Sequence, residues 1–472
     1  MTDPNGNGVT QSFQGGWIHS SAKGTFTSST RVMTAYSKAG WVRGSLGWPV
    51  SAEACAGASC TQAFAGGIIS FSGTAEATSA VGVSAAAIAK VRADPASSPV
   101  PLGAAVDATA SLVADAHGGG LAQKFTGGWI HSSAAGTFAS SNTIMTAYSK
   151  AGWLRGKLGW PAGVETCSAT SCIQAFQGGS IGYQKGKAAV ALVGVKADAI
   201  DAAFAEQGGS SGTLGAAVAQ LTVVSDPNGN GLARQYANGW IHASAAGAFV
   251  TSNSLMSAYS KAGWLRGSLG WPTSDESKVT DPNGNGVTQS FQGGWIHSSA
   301  KGTFTSSTRV MTAYSKAGWV RGSLGWPVSA EACAGASCTQ AFAGGIISFS
   351  GTAEATSAVG VSAAAIAKVR ADPASSPVPL GAAVDATASL VADAHGGGLA
   401  QKFTGGWIHS SAAGTFASSN TIMTAYSKAG WLRGKLGWPA GVETCSATSC
   451  IQAFQGGSIG YQKGKAATVV YR

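Results

Sequence analysis

Apolar and polar positions along the chain follow one short pattern, which returns every 55 or 56 residues. In its first occurrence, Val9 to Ser21 alternates as a strand does, with successive side chains on opposite faces. Gly15-Gly16 interrupts this run and predicts a bulge or a close backbone approach. Ala22-Lys23-Gly24 predicts a tight turn, and Thr25 to Ser28 a returning strand. Ser29 is placed to cap a short helix with Val32, Met33 and Tyr36 on one face, stopped by Gly40. A connector punctuated by Gly and Pro, Trp41 to Pro49, leads into the next unit. The pattern therefore predicts hairpin, helix, loop. Such a unit is too small to close its own core, so neighbours must stack.

The period is marked by Leu-Gly-Trp-Pro or its variant Leu-Gly-Ala-Ala, beginning at Leu46, Leu102, Leu158, Leu214, Leu269, Leu324, Leu380 and Leu436. Residues 2–189 also recur without a change as 280–467, a shift of 278 that spans five units. Such self-similarity identifies a repeat architecture. The fold class expected is an α+β tandem repeat of about eight units of about 55 residues. Five units, around Trp17, Trp129, Trp240, Trp295 and Trp407, are rich in tryptophan. Three, around Phe64, Phe176 and Phe342, are rich in alanine, and a last hairpin around Phe454 runs to Arg472.

Composition narrows the function classes. Of 472 residues, 44% are hydrophobic and 11% charged, which suits a buried core and excludes a disordered chain. The net charge of +10 is spread thinly, and no Lys/Arg run of the nucleic-acid type occurs. It leaves open an ordinary basic surface or attraction to an acidic envelope polymer. No apolar stretch is long enough to span a membrane. All eight cysteines fall in Cys-x4-Cys pairs: Cys55/Cys60, Cys167/Cys172, Cys333/Cys338 and Cys445/Cys450. Zinc sites favour tighter spacing with companion ligands, so local disulfides in an oxidising compartment are the expectation, and no metal or cofactor. The chain then reads as part of an exported protein whose targeting segment lies outside it.

The run Gly-Gly-Trp-Ile-His, a helix, then Ala-Gly-Trp-x-Arg-Gly-x-Leu-Gly-Trp-Pro-x-x-x-Glu is similar to the LGFP repeat family. Gly15, Gly16, Ile18, Gly40, Trp41, Gly44, Leu46, Gly47, Trp48, Pro49 and Glu53 carry the resemblance. The alanine-rich units depart from it, with Ala104-Ala105 and Ala216-Ala217 in place of the aromatic and the proline. The resemblance implies a non-catalytic module of mycolate-bearing actinobacteria, often attached to an exported mycolyltransferase, amidase or other hydrolase. It implies anchoring on cell-wall polysaccharide, arabinogalactan or a related glycan, and five repeats about a pseudo-five-fold axis. On that basis residues 1–279 form one array of five repeats, and 280–472 three more plus a terminal hairpin.

Comparison among units nominates binding residues. The slot of Ile18, Ile69, Ile130, Ile181 and Ile241 keeps its isoleucine in both unit types, while its flanks change from Trp17 and His19 to Ile68 and Ser70, or Ser180 and Gly182. If the isoleucine is buried, strand alternation puts tryptophan and histidine together on an outward face suited to a sugar ring. The pairs Trp17/His19, Trp129/His131, Trp240/His242, Trp295/His297 and Trp407/His409 are therefore the glycan-binding candidates, with Arg43, Arg155 and Arg266 beside them. The alternative is that these tryptophans pack on the next repeat. Trp41 and Arg43 are replaced by Ser97 and Pro99, or Gly209 and Ser211, in alanine-rich units. Glu53 is a candidate partner for Arg43, and Trp48, between Gly47 and Pro49, a core residue.

One six-residue slot before each hairpin holds Asp3–Gly8, Cys55–Cys60, Asp115–Gly120, Cys167–Cys172 or Asp226–Gly231, as if disulfide and Asp/Gly turn close the same loop. Asp-Pro-Asn-Gly-Asn-Gly opens like a calcium loop, but Gln14 stands where a bidentate Glu belongs, and an Asx turn explains the composition. Catalytic signals are poor: Gly208-Gly-Ser-Ser-Gly212 matches a nucleophile elbow in letters only, and every polar candidate recurs with the period. A non-catalytic envelope-binding array is expected. The alternative is a structural spacer of an exported enzyme with no ligand of its own.

Overall fold

The computed structural model describes residues 4–94, 101–114, 116–372, 379–392 and 394–472; Asp3, Ser97, Pro99 and Asp115 lie outside them. The chain forms two compact units, Met1–Val250 and Thr251–Arg472.

The first repeat contains three strands rather than the two expected: β1 (Gly8–Phe13), β2 (Gly16–Ser21) and β3 (Gly24–Ser29), paired antiparallel in that order. Gly15-Gly16 is no bulge. Phe13 pairs with Gly16, so Gln14-Gly15 is a two-residue turn that splits the alternating run into two strands. Gly16 has φ of 156°, and a Cβ there would lie 2.4 Å from the Ser28 carbonyl oxygen, so close strand packing demands glycine. Helix α1 (Thr30–Lys38) follows with Ser29 as its N-cap, as predicted, and buries Val32, Met33, Ala35 and Tyr36. A 3-10 turn, Trp41–Arg43, ends the unit.

The next sheet has four strands: β4 (Ala54–Ala56), β5 (Ser59–Phe64), β6 (Gly67–Ser72) and β7 (Thr78–Val81), followed by α2 (Ala85–Ala93). The extra strand comes from the closing slot, where Cys55 and Cys60 face each other across a hairpin. The third sheet is β8 (Ser111–Val113), β9 (Gly120–Lys124), β10 (Gly128–Ser133) and β11 (Gly136–Ser141), with α3 (Asn142–Lys150) after it.

Within each compact unit sheets and helices alternate, and a helix fills the space between two sheets, as α1 and α2 do. Around α1 one core joins Trp17 of β2, Val32, Tyr36 and Trp48 to Phe64 and Ile69 of the following sheet. Around α2 a second joins Ile68 and Ile88 to Leu121, Phe125 and Ile130. A sheet is thus apolar on both faces, one toward its own helix and one toward the preceding one. The constant isoleucine always meets the preceding helix: Ile69 meets α1 and Ile130 meets α2. Among the described residues no helix covers that side of the first sheet, and Ile18 is only half-buried, with Val9 69% and Phe13 51% exposed.

Connectors are tied across the layers. The Tyr36 hydroxyl donates to the Gly47 carbonyl at 2.6 Å, and Pro49 bridges to Phe64, joining the Leu-Gly-Trp-Pro segment to the next sheet. Buried Gln62 donates to the carbonyls of Thr27 and Ser51, both at 2.9 Å; Gln174 does the same for Ala139 and Gly163. These glutamines staple one repeat to the next. Arg31 of α1 also reaches over the Phe71 ring at 3.9 Å and donates to the Gly73 carbonyl.

Candidate functional site

Strand alternation aims Trp17 and His19 the same way, as expected, but that way is toward α1 and not outward. His19, His131, His242, His297 and His409 are each 1% exposed. The expectation of an outward Trp/His face is corrected for all five histidines, because the sheet face that carries them is covered by the helix of the same repeat. His19 Nε2 lies 3.3 Å from Met33 Sδ, and its ring meets Tyr36 edge-on at 5.8 Å. His297 repeats the sulfur contact with Met311 at 3.3 Å and bonds Thr288 through Nδ1 at 3.0 Å. Neither ring nitrogen of His131 or His409 has a hydrogen-bond partner among the described residues. Burial lowers the pKa of His19. It pushes His131, His242 and His409 down to about 3 and His297 to about 4, so these imidazoles are neutral.

The tryptophans of the same strands, Trp17, Trp129, Trp240, Trp295 and Trp407, are half-buried and keep an edge at the surface. Each of four pairs edge-to-face with the tryptophan of its 3-10 turn: Trp17–Trp41 at 5.0 Å, Trp129–Trp153 at 5.0 Å, Trp295–Trp319 at 4.8 Å and Trp407–Trp431 at 4.9 Å. The second member of the pair has an unusual backbone. Trp41, Trp153, Trp264, Trp319 and Trp431 have φ between 53° and 59°, the left-handed region. That conformation costs a non-glycine residue about 1–2 kcal/mol. The alanine-rich counterpart, Gly209, adopts φ of 61° with glycine. A bulky aromatic therefore stands, in five units, where the backbone favours glycine.

The turn is pinned from the closing loop. Asn5 Nδ2 donates to the Val42 carbonyl at 2.6 Å and Asn283 Nδ2 to Val320 at 2.6 Å, while His395 Nδ1 bonds the Leu432 carbonyl at 3.0 Å. Asn and His are thus interchangeable donors in one slot, a role that sequence comparison did not reveal. Trp48 is core, as expected, and its indole N–H donates to the Gly6 carbonyl at 2.9 Å, fastening the same loop. Asp281 Oδ1 accepts from the Asn283 amide at 2.9 Å, the Asx turn anticipated for this composition.

Arg43, Arg155 and Arg266 are exposed beside the turn tryptophans. The proposed Arg43–Glu53 brace does not form. Glu53 binds the Ser29 amide at 3.4 Å, and buried Glu165 takes both the amide and the hydroxyl of Ser141, at 2.9 and 3.1 Å. The glutamate reinforces the helix N-cap, where a carboxylate is electrostatically favoured. Arg321, the counterpart of Arg43, lies 3.6 Å from Asp281. All four cysteine pairs are disulfides. The Glu53–Cys55–Cys60 cluster and its copies offer no thiolate to a metal.

Residues 269–322 match the LGFP repeat family model. This stretch is an LGFP repeat. Its residues 280–322 recur unchanged as 2–44. Residues 250–271 also match the PPR repeat model. They contain one helix, Asn253–Lys261, and a 3-10 turn between strands of a sheet protein, not the helical repeat of that family. No curated protein matches the chain. Among solved structures, the extracellular domain of a one-component system from B. thetaiotaomicron is 8% identical, covering 98% of this chain and 66% of that one, with a TM-score of 0.14. PorZ, a surface component of the type-IX secretion system of Porphyromonas gingivalis, is 10% identical over 89% of this chain and 51% of that one, with a TM-score of 0.13. The chain spans less than two thirds of either, and scores this low carry no argument. No helix among the described residues is long and apolar enough to cross a membrane.

Proposed function

We propose that the chain is a secreted, non-catalytic array that binds cell-envelope polysaccharide, arabinogalactan or a related glycan, through its tryptophan-rich repeats. The observation that carries this reading is the half-exposed tryptophan pair of four such repeats, with one ring held on a left-handed backbone. Indole edges and faces at a surface suit the C–H faces of sugars, and the neighbouring arginines supply hydrogen-bond donors to hydroxyls. Disulfides in alternating repeats support export. Repetition makes weak single sites add, so a polymeric ligand is held more firmly than a short one. Five LGFP repeats per ring, residues 1–279 and then an incomplete second set from 280, is the arrangement we propose for that presentation. An attached exported hydrolase or mycolyltransferase is the natural cargo.

The test is co-sedimentation of the purified chain with walls isolated from a mycolate-bearing actinobacterium. Retention that falls at least tenfold when Trp17, Trp129, Trp240, Trp295 and Trp407 are replaced by Leu supports the proposal; unchanged retention refutes it. A second reading, a spacer without a ligand, is favoured by the sealing of all five histidines inside the layers. It predicts that the unaltered chain is not retained at all.

A further inference from the structure

A pocket of about 360 Å³ opens between two successive repeats in the second compact unit. One wall is the 3-10 turn with Trp431 and Arg433; another is the strand Ser389–Val391, through Leu390 and Val391. Its far wall is Ala334, on the strand Ala332–Ala334 whose Cys333 is bonded to Cys338. The pocket is therefore shared by a tryptophan-rich repeat and the disulfide hairpin of the alanine-rich repeat before it. Its volume lies at the small end of the range for ligand sites, about 300–1,000 Å³.

Two local costs fall on the same residue here. Trp431 has φ of 53°, where Gly209 serves elsewhere. Its indole N–H is shut off from solvent and has no acceptor among the described residues. An unsatisfied buried donor and a left-handed aromatic are both disfavoured by ordinary stability, and such costs concentrate where a ligand is held. The lining is apolar apart from Arg433. That guanidinium offers hydrogen-bond donors to hydroxyls.

We propose that this junction pocket is a subsite for one neutral sugar ring, with the Trp431 indole as platform and the disulfide hairpin as far wall. The inference rests on the glycan-binding reading and adds its location and its dependence on a disulfide. The same residues, Ala56, Leu112, Val113, Ala114, Trp153 and Arg155, stand 278 positions earlier, so the chain carries the set twice.

The experiment uses the full chain and neutral oligosaccharides released from purified wall by partial hydrolysis, titrated by calorimetry with tryptophan fluorescence alongside. Four variants are compared with the unaltered chain: Trp153→Gly/Trp431→Gly, Trp153→Phe/Trp431→Phe, Trp153→Leu/Trp431→Leu, and the quadruple change Cys55→Ser/Cys60→Ser/Cys333→Ser/Cys338→Ser. Expected are a loss of at least tenfold in affinity for the Gly and Leu pairs, near-native affinity for the Phe pair, and a loss of several-fold for the Ser variant. If the Gly pair fails to fold, the contrast between Phe and Leu decides. Equal affinity across Phe, Leu and native overturns the subsite, and if wall retention persists, the broader reading stands without it. Binding of micellar fatty acid in place of the oligosaccharides overturns the sugar assignment.

Discussion

The layer around α1 and the layer around α4 (Ala199–Glu206) occupy equivalent places between two sheets and are filled by opposite means. The first is a block of rings: His19, Trp17, Tyr36, Trp41, Trp48 and Phe64 meet at centroid distances of 4.6 to 6.5 Å. The second is aliphatic, built on Leu192, Val195, Ile200 and Leu214, with Phe204 and Tyr236 stacked at 4.5 Å. Where β2 carries Trp17, the corresponding strand carries Ser180, fully buried and donating to the Val195 carbonyl at 2.8 Å. Where the first has Trp41, the second has Gly209. The slots that differ between unit types are therefore set by the helix they face. Variation tracks the partner inside the stack, and the turn tryptophan, its strand neighbour and the turn arginine bring that variation to the surface.

The sharpest test of this contrast is removal of an aromatic anchor. Trp160→Ala deletes a fully buried ring and the 3.0 Å bond from its indole to the Gly118 carbonyl. A loss of about 3–5 kcal/mol is expected in denaturant unfolding, with hydrogen exchange accelerating first around residues 118 to 160. A loss below about 1 kcal/mol means that the rings do not hold that layer.

Acid comes next. Burial lowers the pKa of all five histidines from the ordinary 6.5, to about 3 for His131, His242 and His409 and about 4 for His297, so folding disfavours their charged form. The stability they permit is whole above pH 6.5 and falls as pH drops toward the folded value, by about 1.4 kcal/mol per pH unit for each histidine. The aliphatic layers contain no such histidine among their core residues. Hydrogen exchange at pH 4.5 should expose the sheets of tryptophan-rich repeats before the others. Simultaneous loss in both would break the distinction.

Gln174→Leu strips the Ala139 and Gly163 carbonyls of their donor, at about 1–3 kcal/mol, read from the midpoint of urea unfolding. Because the staple joins layers of both kinds, an effect confined to one kind on hydrogen exchange would contradict it. The smallest change is an exchange of turn residues. Gly209→Trp places a strained ring beside no aromatic partner and should destabilise by about 1–2 kcal/mol. Trp41→Gly relieves the strain but loses half-buried contacts, for a net loss of similar size in thermal unfolding.

Local features were legible in the sequence. The period, the Ser29 cap, the Trp48 core position and the disulfides depend on neighbours within a few residues or on strict recurrence. The third strand was hidden because a glycine pair fits a bulge as well as a turn, and only the pairing of Phe13 with Gly16 separates them. The histidines were misplaced by the assumption that a sheet has one wet face. Burial on both faces shows in β6, where Ile68 and Ile69 stand side by side. Glu53 had a usable signal: a glutamate follows the capping serine by 24 residues in every tryptophan-rich repeat, as in Ser141/Glu165 and Ser419/Glu443. The glutamine staples had none, since their partners are backbone carbonyls.

A helix shared between two sheets belongs to neither repeat alone, so no repeat owns a complete interior. Excising a whole period removes one sheet together with one helix and brings together surfaces that already have the right shape for each other, provided that the joined repeats are of matching type. Genetic exchange between the two identical stretches, 278 residues apart, satisfies that condition automatically. The architecture can therefore lengthen or shorten over generations by unequal crossing-over without a misfit at the seam, and the number of stacked layers becomes a heritable setting.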